Sequence, residues 1–347
     1  AGQALVSGAG VSTASAAAAA GSIGTISNAV QGWWSEPMAI EVTTESGEFI
    51  LAGCNTEVGG FGVVVWNQAT GLWHRVTLAA FEIDDHNVPC LVPMYGYTTG
   101  TQTKSVMAIF SRHAKESQLY YSISSDPEFR NWSPPKALAT SGVVSYAQAY
   151  YVNGRIRLFY RVGDADSGAS RGMWCYRNFD PTPATQAWTA ETIFMDKRYC
   201  LVRPNTTDSG FRILAMEHPV TGTDHNIYAC ALSFSSGNFT RFSDSTVIGT
   251  VAGTNLPIVP DNATAGLKMD IVRTVPAGSS SRLLDIAYNT SRIELLYAEW
   301  TEATNGADSK LYHVRNPASG GTYNTGTWTR TEILDMGVPV DPSYGSI

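Results

Sequence analysis

The sequence predicts an all-β chain built from repeated four-stranded antiparallel units, the β-propeller arrangement, behind a short Ala-rich leader. Three observations predict it. Short β-rich runs separated by Gly, Asn and Thr recur from about residue 32 onward. The runs group into units of roughly 45 to 55 residues, and most units close on a Trp. A jelly roll or stacked sandwich would also supply many short strands, but not a Trp-terminated unit of constant length.

Composition supports the same class and removes others. Of 347 residues, 44% are apolar, 11% aromatic and only 15% charged. Such a chain can bury a large core, and its low charge with abundant Gly, Ser and Thr suits an extracellular or virion protein, a secreted bacterial enzyme being the alternative. A net charge of −7 and a pI near 5.4 argue against a nucleic-acid partner, which would need clustered Lys and Arg. No run of about twenty apolar residues is present to cross a membrane as a helix.

Residues 1–31 form the leader. "VSTASAAAAAGSIGTISNAV" lacks the basic start and large aliphatic centre of a signal peptide. It reads either as a flexible linker or as the end of a helical stalk, homotrimeric if it belongs to a phage tail protein; Ala favours helix, whereas Gly21 and Gly24 interrupt it. The first residue is Ala rather than Met, which suggests a processed or excised chain.

Residues 32–347 form the propeller domain. The first unit is "EFILAGC", "GFGVVVWN" and "LWHRVTLA"; the second is "HNVPCLVPMY", "SVMAIFSRH", "QLYYSISS" and "NWSPPKALA". The third reads "YAQAYYVNG", "RIRLFYRV", "GMWCYRN" and "AWTAETIFM", and the fourth "KRYCLVRPN", "RILAMEHP", "NIYACALS" and "FTRFSDSTVI". A fifth reads "LLDIAYNT", "IELLYAEW", "KLYHVRN" and "TWTRTEIL". Residues 249–278 do not fit the unit, and are either an insertion or a degenerate blade.

The five cysteines contain no C-x-x-C pair, so a zinc ribbon or thioredoxin-type motif is excluded. They read as buried thiols packing as small hydrophobes. A structural metal held by Cys230 with His225 is conceivable, but further ligands are needed.

The chemistry-bearing residues fall at equivalent places in successive units. "FEIDDHNVPC" puts Asp84, Asp85, His86 and Asn87 at a strand entrance. In a propeller the first strand of each blade is innermost, so these residues would sit at the channel rim. Tyr146 occupies the corresponding place in the third unit and Tyr199 in the fourth, while His113, Arg161 and His218 each end the next strand of their unit. His74 and His313 fall within ordinary strands and read as structural.

In element order, "DDHNVP", "FSRHAKESQLYYSISSDPEFRNWS", "GRIRLFYR" and "RILAMEHP…HNIYACAL" resemble the BNR-4 group of propellers, which includes ulvan lyases. The resemblance spans roughly residues 80 to 330. It implies cleavage of a uronate-containing polysaccharide by β-elimination, with Tyr146 facing the reacting carbons. The family's propellers have seven blades; the five legible here imply a smaller ring or a trimmed sequence.

The residue types fit that reaction independently. Elimination requires the uronate carboxylate to be neutralised, a base to take the C5 proton and an acid to protonate the leaving O4. Arg161 suits neutralisation because guanidinium stays charged and pairs bidentately with carboxylate, and His113 could share the task as a donor. Tyr146 and His86 form the proton-transfer pair, in either order. Asp85, Asn87, Tyr199 and His218 would contact the sugar or orient these groups. The chemistry needs no cofactor.

Two other functions fit the same composition. "SSDPEFRNW" resembles an Asp-box of the sialidase kind, and a propeller glycosidase would need a carboxylate pair, for which Asp85, Glu217 and Asp285 are candidates without a telling spacing. A non-catalytic carbohydrate-binding head would use the nine Trp and sixteen Tyr for stacking and would not need the His, Tyr and Arg set.

Overall fold

A computed structural model describes residues 29–30, 37–56, 60–81, 88–95, 103–163, 172–182, 186–197, 199–205, 209–217, 224–289, 292–304, 307–319, 322–323 and 328–336. Among these residues the regular structure is strand, apart from two single 3₁₀ turns, and no helix is long and apolar enough to cross a membrane. The strands form five antiparallel sheets, one for each unit legible in the sequence. Two compact units divide them: residues up to 167 with 176–191, and residues 168–175 with 192 onward.

In the first unit, the opening sheet comprises β1 (Ala29–Val30), β2 (Ala39–Thr44), β3 (Gly47–Thr56), β4 (Gly60–Asn67) and β5 (Trp73–Ala80). β2 was not anticipated as a strand of the repeat, and it shares one edge of β3 with β1, which falls within the expected leader. The second sheet is a meander of β6 (Cys90–Tyr95), β7 (Thr103–Phe110), β8 (Gln118–Ile123) and β9 (Lys136–Ala139). The third runs β10 (Val144–Val152), β11 (Arg155–Val162), β12 (Met173–Asp180) and β13 (Ala187–Trp188), with residues 173–175 of β12 counted in the second unit. Asn153 and Gly154 close the β10–β11 hairpin with φ of 51° and 73°, the pair of left-handed residues that suits the twist of a tight hairpin.

Alternation within β3, β4 and β7 sends Phe49, Leu51, Val63, Val65, Val106 and Ala108 into one buried cluster with Leu91 of β6. Phe129 joins it edge-on to Phe49, centroids 5.5 Å apart. The first strands β6 and β10 pack beside one another, as expected for inner strands of adjacent blades. Pro89, immediately before β6, is held against β3: a Cβ at Gly53 would lie 2.2 Å from the Pro89 carbonyl oxygen. Only glycine permits that approach.

The "SSDPEFRNW" turn is structural in its contacts. Asp126 accepts hydrogen bonds from the amides of Glu128, Arg130 and Asn131, and Trp132 Nε1 donates to the Phe129 carbonyl at 2.9 Å. Burial alone would raise the Asp126 carboxyl, but these amides outweigh it and hold it below the usual carboxylate range. Phe129 has a φ of 60°, a left-handed conformation that the turn and its buried ring enforce together.

The second unit holds the remaining sheets. β14 (Thr192–Asp196) precedes the fourth, made of β15 (Tyr199–Pro204), β16 (Gly210–Met216), β17 (Ile227–Ser233), β18 (Asn238–Thr240) and β19 (Val247–Thr250). The stretch 249–278 is not a separate blade. It leaves β19, forms a parallel bridge between Ile258 and Met195, and returns as β20 (Asp270–Arg273) on the same edge of β17 as β18. The fifth sheet contains β21 (Ser279–Asn289), β22 (Arg292–Thr301), β23 (Lys310–Ser319), β24 (Thr322–Tyr323) and β25 (Thr329–Asp335). In the fifth sheet the outer edge of β23 is shared by β24 and β25, so the sheet is four strands deep; in the fourth, β18 and β20 share the edge of β17 and β19 adds a fifth strand beyond β18.

Candidate functional site

The candidate site grows from an irregularity at the start of β10. Ser145 faces Arg161 in the ladder and Gln148 faces Phe159, so Tyr146 and Ala147 together oppose Tyr160 alone. This is a β-bulge, and Tyr146 occupies it with a φ of 60°. A left-handed aromatic residue costs about 1 kcal/mol or more, and such strain collects where function sets the geometry.

The bulge turns the Tyr146 ring onto the guanidinium of Arg161, whose Cζ lies 4.3 Å from the ring centroid. Arg161 Nε donates to Ser145 Oγ at 3.0 Å, and its Nη2 lies 3.5 Å from His113 Nε2. The His113 ring is 5.5 Å from that of Tyr146, tilted by 37°. Two backbone bonds bring His113 here from the turn after β7: the Ala114 amide donates to the Val144 carbonyl, and the Val144 amide to the Glu116 carbonyl. Ser145, Tyr146 and Arg161 are only 1–2% exposed, whereas His113 is half-buried and is the open side of the cluster.

The neighbouring Tyr160 braces the far face. Its hydroxyl bonds to Glu191 at 2.5 Å and accepts from Arg177 Nε at 2.7 Å. Burial alone would raise Glu191, but Ser141, Tyr160 and Arg177 outweigh it and keep the carboxyl low.

Three of the expected catalytic residues, His113, Tyr146 and Arg161, therefore meet in one place. His86, Asp84, Asp85, Asn87 and His218 lie outside the described residues. Tyr199 belongs to the second unit, where it opens β15 opposite Met216 and is buried. Ser145 was not anticipated. Its signal is its position directly before the tyrosine, but only the bulge reveals that consecutive residues serve one guanidinium.

The second unit contains a cluster that sequence reading also missed. Lys197 is 1% exposed, and its Nζ lies 3.2 Å from Glu217, 3.0 Å from Asp224 and 3.7 Å from Asp261. Tyr228 donates to Asp224 at 2.7 Å. Burial would raise the Asp224 carboxyl, but the Tyr228 hydroxyl and the Lys197 charge hold it below the usual range. Of the three acids weighed for a hydrolytic pair, Glu217 is engaged with Lys197 and Asp285 with Arg203 at 3.0 Å, while Asp85 lies outside the described residues.

The Cys230 and His225 pair does not assemble as metal ligands. His225 Nε2 faces Glu302 at 3.0 Å, Cys230 is fully buried with its thiol pushed well up by desolvation, and no group of three or more His, Cys, Asp or Glu suited to a metal occurs among the described residues. All five cysteines are buried, and none forms a disulfide. Burial lowers the pKa of His74, opposed in part by a hydrogen bond with the Phe129 backbone. His313 sits 3.4 Å from Glu294.

No family model matches the chain, and no curated protein matches it. Among solved structures, a polysaccharide lyase described as a PL25 ulvan lyase is similar over 89% of this chain and 74% of its own, with a TM-score of 0.65 and 14% identity. The same enzyme bound to -[GlcA(1-4)Rha3S]- gives 0.64, covering 92% and 75% at 14% identity. The polysaccharide lyase Uly1 is similar at a TM-score of 0.51 and 10% identity, over 87% of this chain and 74% of that one. At these identities the likeness establishes the fold, a β-propeller of the type these lyases share, while function must be argued from the site.

Proposed function

We propose that the protein is a polysaccharide lyase that cleaves a uronate-containing glycan by β-elimination. The observation that carries this reading is the contact of Arg161, Tyr146 and His113 on a strained bulge of β10. The fold shared with polysaccharide lyases supports it. Arg161, helped by His113, offsets the carboxylate charge and so favours negative charge spreading from C5 onto the carboxyl group as the proton leaves. A base removes the C5 proton, the C–H electrons form the C4–C5 double bond, the C4–O4 bond breaks, and an acid protonates O4. Tyr146 takes one of these roles and His86 the other; Asp85 and Asn87 contact or orient the sugar. Since Arg161 and Tyr146 are almost closed off, the reading requires the cluster to open on its His113 side when sugar binds.

The test is ultraviolet absorbance during incubation with acidic polysaccharides, beginning with ulvan, followed by Tyr146→Phe. The native protein should generate the absorbance of a conjugated double bond. The variant should lose about 10²- to 10⁴-fold in turnover while still binding glycan, the range for a proton-transfer group. Fragments without absorbance would indicate a hydrolase, and binding without cleavage a carbohydrate-binding head. We further propose the BNR-4 relationship and an extracellular or virion setting, with a trimer if the leader is a phage-tail stalk; a strictly monomeric full chain in light scattering would count against the stalk.

A further inference from the structure

We infer that Ser145 is a positioning residue that sets the plane of the Arg161 guanidinium and thereby makes the site selective for a free carboxylate, an inference that rests on the lyase reading above. Ser145 is the last regular partner of Arg161 before the bulge, and its Oγ accepts from Nε at 3.0 Å. Both side chains are buried, at 2% and 1% exposure. An apolar residue here would leave a buried cationic N–H facing a group unable to accept it.

The bulge explains why two consecutive residues can act together. In a regular strand, Ser145 and Tyr146 would point to opposite faces of the sheet. With Tyr146 left-handed at 60° and an extra residue inserted, both meet the same guanidinium: the serine at Nε, the ring beneath Cζ at 4.3 Å. His113 meets Nη2 from a third direction. Contacts on three different atoms define a plane, and bidentate recognition of carboxylate depends on that plane. Tyr146 and His113 also have roles in the reaction. Ser145 has only orientation to supply.

The experiment compares Tyr146→Phe, which slows turnover enough for binding to be measured, with the same protein also carrying Ser145→Ala or Ser145→Thr. The probes are a tetrasaccharide of the panel glycan that the native protein cleaves and its carboxyl-reduced counterpart, with affinities measured by calorimetry. Ser145→Ala should reduce the preference for the acid form by about 10-fold or more, as expected for a hydrogen bond to a charged group. Ser145→Thr, which keeps the hydroxyl, should stay within about threefold of the parent. Should Ser145→Ala not fold, Ser145→Cys, a weak acceptor of similar size, must show the same loss of preference. Equal weakening of both probes, or an unchanged preference, overturns the positioning role and leaves the lyase reading intact. Failure of the native protein to produce the conjugated double bond on any glycan overturns both.

Discussion

Arg161 joins the features that single out the site: burial, a ring on one face, a serine on its Nε and a histidine beside Nη2. Lysine would keep the charge but not the planar fork or the stack on Tyr146. Arg161→Lys should therefore lower kcat/KM by about 10²-fold or more, comparable to removing a preorganised charge-stabilising group. Steady-state absorbance assays check this, and near-native kinetics would mean that charge alone suffices. The sequence identified the arginine, tyrosine and histidine by their equivalent places in successive units. It did not identify Ser145, because a period-two strand assigns it to the face away from Tyr146 until the bulge is seen.

Among the elements, the entrance to β6 depends on a contact that no strand pattern reveals. Gly53 of β3 lies so close to Pro89 that any Cβ would collide with a backbone carbonyl, which cannot yield as a flexible side chain can. Gly53→Ala should destabilise the protein by about 1–3 kcal/mol, the usual range for forced overpacking. Thermal unfolding measures the loss. The same shift would displace the segment that carries His86, so turnover should fall in parallel; full activity in a destabilised variant would separate that segment from the site. The strand-rich runs were legible because β-branched and aromatic residues alternate between Gly and Asn turns. The assignment of residues 249–278 was not, since β20 depends on pairing with β17 across about 40 residues of chain.

Charge acts at the scale of the whole molecule. Lys197 joins the start of the fourth sheet to the end of β16, the approach to β17 and the 249–278 excursion through three carboxylates. Lys197→Met would leave those acids facing one another without compensation, and should destabilise the protein by about 3–5 kcal/mol at pH 7. Because the folded Asp224 carboxyl is held below its unfolded value of about 3.9, its contribution is present above that pH and is lost as pH falls through the folded value. The gap in denaturant midpoint between the native and variant proteins should therefore begin to close near about pH 4 and shrink further as pH falls through the folded value; a pH-independent gap would assign the loss to packing instead. With a net charge of −7, the protein also repels a polyanionic glycan at long range. Raising ionic strength from about 10 to 150 mM should lower KM, since screening removes that repulsion. A KM that rises with salt would instead point to a basic binding track.

The sequence by itself determined the β class, the number of legible sheets and the residue types available for elimination chemistry, because these depend on local periodicity and composition. Only the tertiary structure decided that Arg161, Tyr146 and His113 touch, that Ser145 shares their guanidinium, and that Glu217 and Asp285 are held in ion pairs. The physical reason is that a bulge, a turn stapled to a neighbouring sheet and a long-range charge pair are set by contacts between distant parts of the chain, which leave no period in the residues that make them.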